Sequence, residues 1–290
     1  MLVTTELAPV GLPVAEPSCN TRELAFLPDP ETASEVVRAS LAYAKCIAES
    51  YQQLYPESKP EYFELCGGAV VYISSTSPLT HLIGFGITEP VTVKDVAFLS
   101  QYFQDRGLPF RIRVTPFTHP SLYECLAGKQ FKASDVTFMM ARKLSTSRTT
   151  SNIPGLRIDA IKSEATWMEA FARGYCNGNL DPESERLGRT LFHAKGSQVI
   201  GAWLDGQVTG VGILTIVDNL ATLNAACTLP EYRNMGIQKA LIESRMAIAA
   251  QNGIKMVMAR VSPGTVSQRN FEKLGFHIGY QAMLLEEIPK

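Results

Sequence analysis

Residues 229–253, LPEYRNMGIQKALIESRMAIAAQNG, decide how this chain is read. From Ile237 onward the pattern is helical: Ile237, Leu241, Ser244 and Ile248 fall on one stripe, and Gly253 is placed to close the helix. Helix starts ordinarily carry Asp, Glu, Ser or Thr, which satisfy free amides and oppose the positive end of the dipole. This one begins Ile-Gln-Lys-Ala, with Gly236 before it and Arg233 one turn earlier. A first turn left open in this way presents N–H groups and about half a positive charge, which an anionic ligand can take up in place of a cap. Glycine lets an oxygen-rich group approach the backbone, and Arg233 adds fixed positive charge, so the pair suits a pyrophosphate. The same two residues also fit a plainer reading, a glycine easing a loop into a helix beside a solvated arginine.

Outward from this stretch, strands and helices alternate. SQVIGAWLDG (197–206) and QVTGVGILTIV (207–217) read as strands joined by a tight Asp205-Gly206 turn, and NLATLNAACT (219–228) follows after Asp218-Asn219. After the helix come a strand IKMVMARV, a helix PGTVSQRNFEKLGF and a last strand HIGYQAMLLEEI. The first half runs in similar order: strands GAVVYI and HLIGFGI, helix TVKDVAFLSQYFQDRG, strand PFRIRV, helix HPSLYECLAGKQF and strand DVTFMMARKL. Val114-Thr115-Pro116 then Phe131, and Val261-Ser262-Pro263 then Phe276, align the halves as a diverged repeat, with gaps of 15 and 13 residues. LSTSRTTSNIPG, hydroxyl-rich and closed by Pro154-Gly155, reads as a linker. The expected layout is therefore a loosely ordered arm over 1–24, a domain over 25–144, a linker over 145–155 and a second domain over 156–290.

Composition excludes several classes. Apolar residues make up 46% and charged residues 19% of the 290, as in soluble globular chains, and a net charge of −1 gives no basic excess for nucleic acid or an anionic membrane. The six cysteines are scattered without a CxxC pair, which fits free thiols in a reducing cytoplasm. His81, His119, His193 and His277 lie in separate elements without metal-ligand spacing, so no metal is expected. His193 could reach an acceptor cleft or serve as partly buried structure.

Thr228-Leu229-Pro230-Glu231-Tyr232-Arg233-Asn234-Met235-Gly236-Ile237 after a strand, with Asn270-Phe271-Glu272-Lys273-Leu274-Gly275-Phe276 after the next, resembles the GNAT acyltransferase superfamily over roughly residues 156–286. The resemblance implies an α/β fold of two tandem GNAT-like domains, each a mixed, mostly antiparallel sheet flanked by helices. It also implies that acetyl-CoA is the co-substrate. Its pyrophosphate would sit on the loop Arg233, Asn234, Met235, Gly236, Ile237, Gln238 and Lys239, and its pantetheine arm on the backbone of Ala226, Cys227 and Thr228 where that strand splays from its neighbour. Asn270 and Phe271 would line the same site. The expected activity is N-acetyl transfer to a small-molecule or peptide amine by direct attack.

Three departures bear on mechanism. Gln238 stands where the family has Gly or Ala. Phe271 stands where many members carry a proton-donating tyrosine, leaving Ser267, one turn earlier on the same face, as the nearest hydroxyl; Ser267 also fits as the cap of its helix. No glutamate on NLATLNAACT offers a base. Cys227 could be a nucleophile, although no neighbouring base activates it, or a small packing residue. A non-catalytic acyl-CoA sensor and a protein-interaction module remain as alternatives. In the first half, Thr92 and Asp95 are spaced to cap their own helix, so that half is expected to have lost the coenzyme site.

Overall fold

The computed structural model describes residues 30–144 and 153–288, with side chains from residue 34. The arm expected over 1–24 and residues 145–152 of the expected linker lie outside the described residues. The first half contributes α1 (Pro30–Leu54), β1 (Glu61–Leu65), β2 (Gly68–Tyr72), β3 (His81–Ile83), α2 (Val93–Gln104), β4 (Arg111–Val114), α3 (Pro120–Leu126) and β5 (Phe131–Lys143). The second contributes β6 (Arg157–Ala160), α4 (Glu164–Gly174), α5 (Pro182–His193), β7 (Ser197–Leu204), β8 (Gln207–Val217), β9 (Leu220–Thr228), α6 (Ile237–Gln251), β10 (Met256–Val261), α7 (Val266–Lys273) and β11 (His277–Glu287).

The repeat is visible in space. β3-α2-β4-α3-β5 corresponds to β9-α6-β10-α7-β11, and in each unit the first two strands form a parallel pair, whereas the other neighbours are antiparallel. The Val-Thr-Pro and Val-Ser-Pro segments each close the second strand of that pair. The turns at Asp205-Gly206 (φ 50° and 80°) and Asp218-Asn219 (φ 49° and 62°) hold two consecutive left-handed residues, as tight hairpins of primed type require.

What the sequence pattern does not reveal is that the two halves share one sheet, in the order β1-β2-β3-β4-β11-β5-β10-β9-β8-β7-β6. β11 of the second half inserts between β4 and β5 of the first, pairing with β5 from His277↔Ala141 to Glu287↔Phe131. β5 in turn inserts between β11 and β10, where Met256↔Lys143 to Val261↔Phe138 are opposed. Each half completes the other's sheet, and the strand order is nearly symmetric about the β5–β11 pair.

Helices cover both faces. On β2, Val70 packs with Leu99 and Phe103 of α2, while Val71 faces Ile47 and Tyr51 of α1. α3, α6 and α7 share the face of α2, and α4 and α5 share that of α1. The buried residues Val36, Val37, Ala44, Ile47 and Tyr51 give α1 a helical apolar stripe, and it crosses the middle of the sheet to touch strands of both halves. Trp167 of α4 is fully buried and donates Nε1–H to the carbonyl of Gly188 at 2.8 Å, which ties α4 to α5.

A half cut from this chain would expose the facing backbone edges of two strands whose intervening partner is gone. Residues 25–144 and 156–290 expressed separately should each fail to melt cooperatively, and mixing them should restore folding. The intact chain should unfold in one transition by circular dichroism and tryptophan fluorescence; two separated transitions would show that the halves are independent.

Candidate active site

The helix start singled out by the sequence is open in the structure. Of α2 to α7, α6 alone begins without a side-chain cap: Thr92, His119, Ser163, Asp181 and Thr265 accept backbone N–H bonds at the other five. Gly236 occupies the cap position at φ 83°, a conformation that leaves no role for a Cβ. Residues 233–236 are exposed. Arg233 is held to the loop by an Nε–H donated to the Thr228 carbonyl at 3.4 Å, Met235 stands at the exposed tip, and Lys239 leans along α6 toward Glu243 at 3.7 Å. The equivalent start of α2 is closed by a reciprocal box, with Asp95 N–H donating to Thr92 Oγ1 (3.3 Å) and Thr92 N–H to Asp95 Oδ2 (2.8 Å). The Thr92 hydroxyl, donating to Asp95 Oδ2 at 2.6 Å, and then the Thr92 N–H hold the Asp95 carboxyl below its usual range.

Beside the loop the sheet opens. β9 and β10 pair only from Ala221↔Val257 to Leu223↔Ala259, then part, as the resemblance implies. On its other side β9 is bulged: Cys227 opposes Val211, but Asn224 opposes Ile213, and Ala225 takes φ 42°. The fully buried Arg245 of α6 fills the bulge, donating Nε–H to Leu241 O at 3.0 Å and Nη1–H to Ile213 O at 3.1 Å and Asn224 O at 3.4 Å. Gly212 makes room for it, since a Cβ there would lie 2.8 Å from the guanidinium carbon. Burial lowers the Arg245 pKa to about 10, which leaves it charged at neutral pH.

A cavity of about 470 Å³ passes through this opening. On the α6–α7 side its wall includes Gln238, Ser267 and Phe271; at the opening, Asn224, Ala226 and Val261; under α1, Arg113, His81 and Asp135. Ser267 is not the cap of α7. Thr265 takes that role, accepting from Gln268 N–H at 3.2 Å, because its hydroxyl sits before the first turn whereas Ser267 is already inside the helix. Ser267 Oγ instead accepts from Gln238 Nε2 at 3.1 Å, and Gln238 Oε1 accepts from Asn270 Nδ2 at 2.7 Å. Gln238 thus commits its amide to α7, and the Ser267 hydroxyl keeps its own proton to donate. Phe271 is buried edge-to-face on Phe276 with ring centres 4.8 Å apart.

Cys227 turns toward α4, with Sγ 3.7 Å from the Ala170 carbonyl, and burial pushes its thiol up to about 12. That environment favours packing over nucleophilic attack. Thr228 Oγ1 is buried with no partner among the described residues. His193, at the end of α5, pairs with Glu164 at 2.5 Å and does not line the cavity. Arg113, Asp135, Thr137 and Arg260 were not singled out in the sequence, and His81 was named there only as lacking metal-ligand spacing. Their available signal was an arginine flanked by apolar residues in RIRV and again in MARV, where a strand crossing the middle of a sheet has no ordinary use for charge.

The sequence profile of the acetyltransferase (GNAT) family matches residues 165–276, from α4 to the residue before β11. Residues 165–276 are a GNAT-family domain. Solved structures extend the likeness of fold over nearly the whole chain. A GCN5-related N-acetyltransferase from Kribbella flavida superposes with a TM-score of 0.58 at 14% identity, covering 86% of this chain and 96% of that one. One from Sphaerobacter thermophilus gives 0.57 at 14%, covering 91% and 95%. A tandem GNAT protein from the clavulanic acid biosynthesis pathway gives 0.60 at 11%, covering 90% and 97%. Among curated proteins no sequence matches this chain significantly. No described helix is long and apolar enough to cross a membrane.

Replacing Gly236 by glutamate tests the open helix start. Gly236→Ala alone should add left-handed strain of about 1 kcal/mol. Gly236→Glu adds a negative charge at the same place and should weaken coenzyme A binding at least about 100-fold further in a folded protein. Calorimetry showing equal affinities for wild type and Gly236→Glu would remove the loop from the site.

Proposed function

We propose that this protein is an acyl-CoA-dependent N-acyltransferase that transfers an acetyl group from acetyl-CoA to an amine by direct attack, without an enzyme-bound acyl group. The observation that carries the proposal is the continuity of the site: the start of α6, which alone of α2 to α7 lacks a side-chain cap, lies beside the β9–β10 opening, and the cavity passes through that opening from α6–α7 to the face under α1. The residues present fit the co-substrate. The free amides of Ile237, Gln238 and Lys239, with Arg233 and a cap position lacking a Cβ, suit a pyrophosphate.

In this reading the strand edge at Ala226–Thr228, unpaired on its β10 side, holds the pantetheine arm, and a backbone N–H there polarises the thioester carbonyl as the amine attacks. Ser267 lies next to Phe271 on the wall and donates its proton to the departing thiolate while it takes up the proton that the attacking amine loses, and Gln238 and Asn270 fix the orientation of its hydroxyl. Phe271 packs and transfers no proton. We assign residues 25–144 and 156–290 as the two halves, with one coenzyme A per chain bound by the second. In the first half Thr92 and Asp95 already occupy the equivalent amides, and displacing such a cap costs about 1 kcal/mol before an anion is set beside a carboxylate. The free cysteines Cys46, Cys66, Cys125, Cys176 and Cys227 accord with a reducing cytoplasm. A non-catalytic acyl-CoA sensor is the second reading, favoured by Phe271 in the usual acid position; turnover of acetyl-CoA with an amine panel separates the two.

Titration with coenzyme A should give one site per chain, and two equivalent sites would overturn the division between the halves. Where chemistry limits the rate, Ser267→Ala should lower kcat roughly 100-fold with coenzyme A affinity kept. Phe271→Tyr should hold or raise kcat. An unchanged kcat in Ser267→Ala would take that hydroxyl out of the mechanism.

A further inference from the structure

The end of the cavity under α1 carries a charge that acyl transfer does not require. The exchanged strands bring it together. β5 places Asp135, Thr137 and Met139 on one face; Met139 is opposed by Arg260 of β10 and Tyr280 of β11, and Leu284, opposite Asp135, is in turn opposed by Arg113 of β4. Arg113 and Arg260, one from each half, therefore line the same cavity from the same face of the sheet.

The partners of these arginines leave positive charge over. Arg113 is nearly buried and donates Nη1–H to Thr137 Oγ1 at 3.0 Å, Nη2–H to Asp135 Oδ2 at 3.3 Å and Nε–H to His81 Nε2 at 3.5 Å. His81 is buried, and burial together with Arg113 and Arg260 drives its pKa well below the ordinary value, so it is a neutral acceptor. The Arg260 side chain is exposed and has no hydrogen bond or ion pair among the described residues, yet its field helps lower the Arg113 pKa behind burial. Asp135 is the only carboxylate among the cavity-lining residues, against Arg113 and Arg260, with Arg245 sealed in the β9 bulge. One arginine is matched and one is not.

We infer that the acceptor is a small amine that also carries a carboxylate, its carboxylate held by Arg260 with Arg113 and its amine directed to the β9–β10 opening. This rests on the acyltransferase reading and names the substrate class for that site. A planar guanidinium pairs with a carboxylate through two parallel hydrogen bonds. The single unmatched charge suits a monoanion better than a phosphate dianion. The coenzyme phosphates are accounted for separately, at the α6 start. A cavity of about 470 Å³ suits a molecule the size of an amino acid or short peptide.

The experiment compares amino acids with their carboxamides and with the decarboxylated amines, using acetyl-CoA and the full-length protein. Calorimetry of the same compounds on the protein saturated with coenzyme A gives a readout independent of turnover. Amino acids should exceed their amides at least about tenfold in kcat/KM and in affinity, and high salt should shrink the gap. Arg260→Met should raise KM for the carboxylate amine about tenfold or more and bring acid and amide close together, while Arg260→Lys restores part of the preference. Coenzyme A affinity should be unchanged in both. Equal use and equal binding of acid and amide by wild type would overturn the inference, as would a carboxylate preference untouched in Arg260→Met. A preference for carboxylated acyl thioesters over acetyl-CoA that is lost in Arg260→Met would also overturn it, placing the anion on the acyl group. Failure of the wild type to bind coenzyme A would sink the acyltransferase reading instead, and carboxylate binding lost in Arg260→Met would then still mark the anion site.

Discussion

The pairing of β5 with β11 is the constraint on which the remaining structure depends. Each is the last strand of its own half and lies inside the other's sheet, so the ladder from His277↔Ala141 to Glu287↔Phe131 joins two copies of one motif into a single sheet. Backbone groups in the middle of a sheet must be paired, and here they are paired only across halves. α1 lies over this junction, with Val36, Val37 and Ala39 packed against Ala141, Met258, Tyr280 and Ala282. The junction and the helix above it make a surface that neither half could form alone.

The two halves have used the same helix start in opposite ways. α2 spends its free amides on Thr92 and Asp95, and α6 leaves them open behind a left-handed glycine. Around the open start the sheet is opened as well. The bulge in β9 breaks the ladder to β8, Arg245 supplies donors to the released carbonyls of Ile213 and Asn224, and β9 leaves β10 after Leu223. A buried guanidinium without a carboxylate is ordinarily unfavourable, but carbonyl dipoles on several sides offset part of its desolvation. It fixes the shape of the bulge without putting a reactive group in the opening.

Polar chemistry in the cavity is divided along its length. Asn270, Gln238 and Ser267 form a neutral chain at one end, and Arg113, Asp135, Thr137 and His81 form a charged cluster at the other. In the proposed reaction Ser267 of the neutral chain protonates the thiolate, and Arg260 beside the charged cluster holds the acceptor's carboxylate. Between them the lining is chiefly small and apolar, with Ala225, Ala226, Ala259 and Val261 at the opening. In the proposed reaction these small residues leave room for amine and thioester to meet.

The sequence by itself determined the features that depend on neighbouring residues. The turns at Asp205-Gly206 and Asp218-Asn219, the Thr92–Asp95 box, the open start at Gly236 and the repeat of Val-Thr-Pro and Val-Ser-Pro are all set by local backbone geometry or by spacing within one element. Only the tertiary structure decided that Thr265 rather than Ser267 caps α7, that Gln238 reaches across to Ser267 and Asn270, and that Cys227 faces α4. It alone brought Arg113 and Arg260 into one cavity. Those two residues are far apart in the chain and share a face only because β5 and β11 change places, a pairing of non-local strand edges that hydrophobic periodicity, which reports each strand's faces and not its neighbours, does not encode.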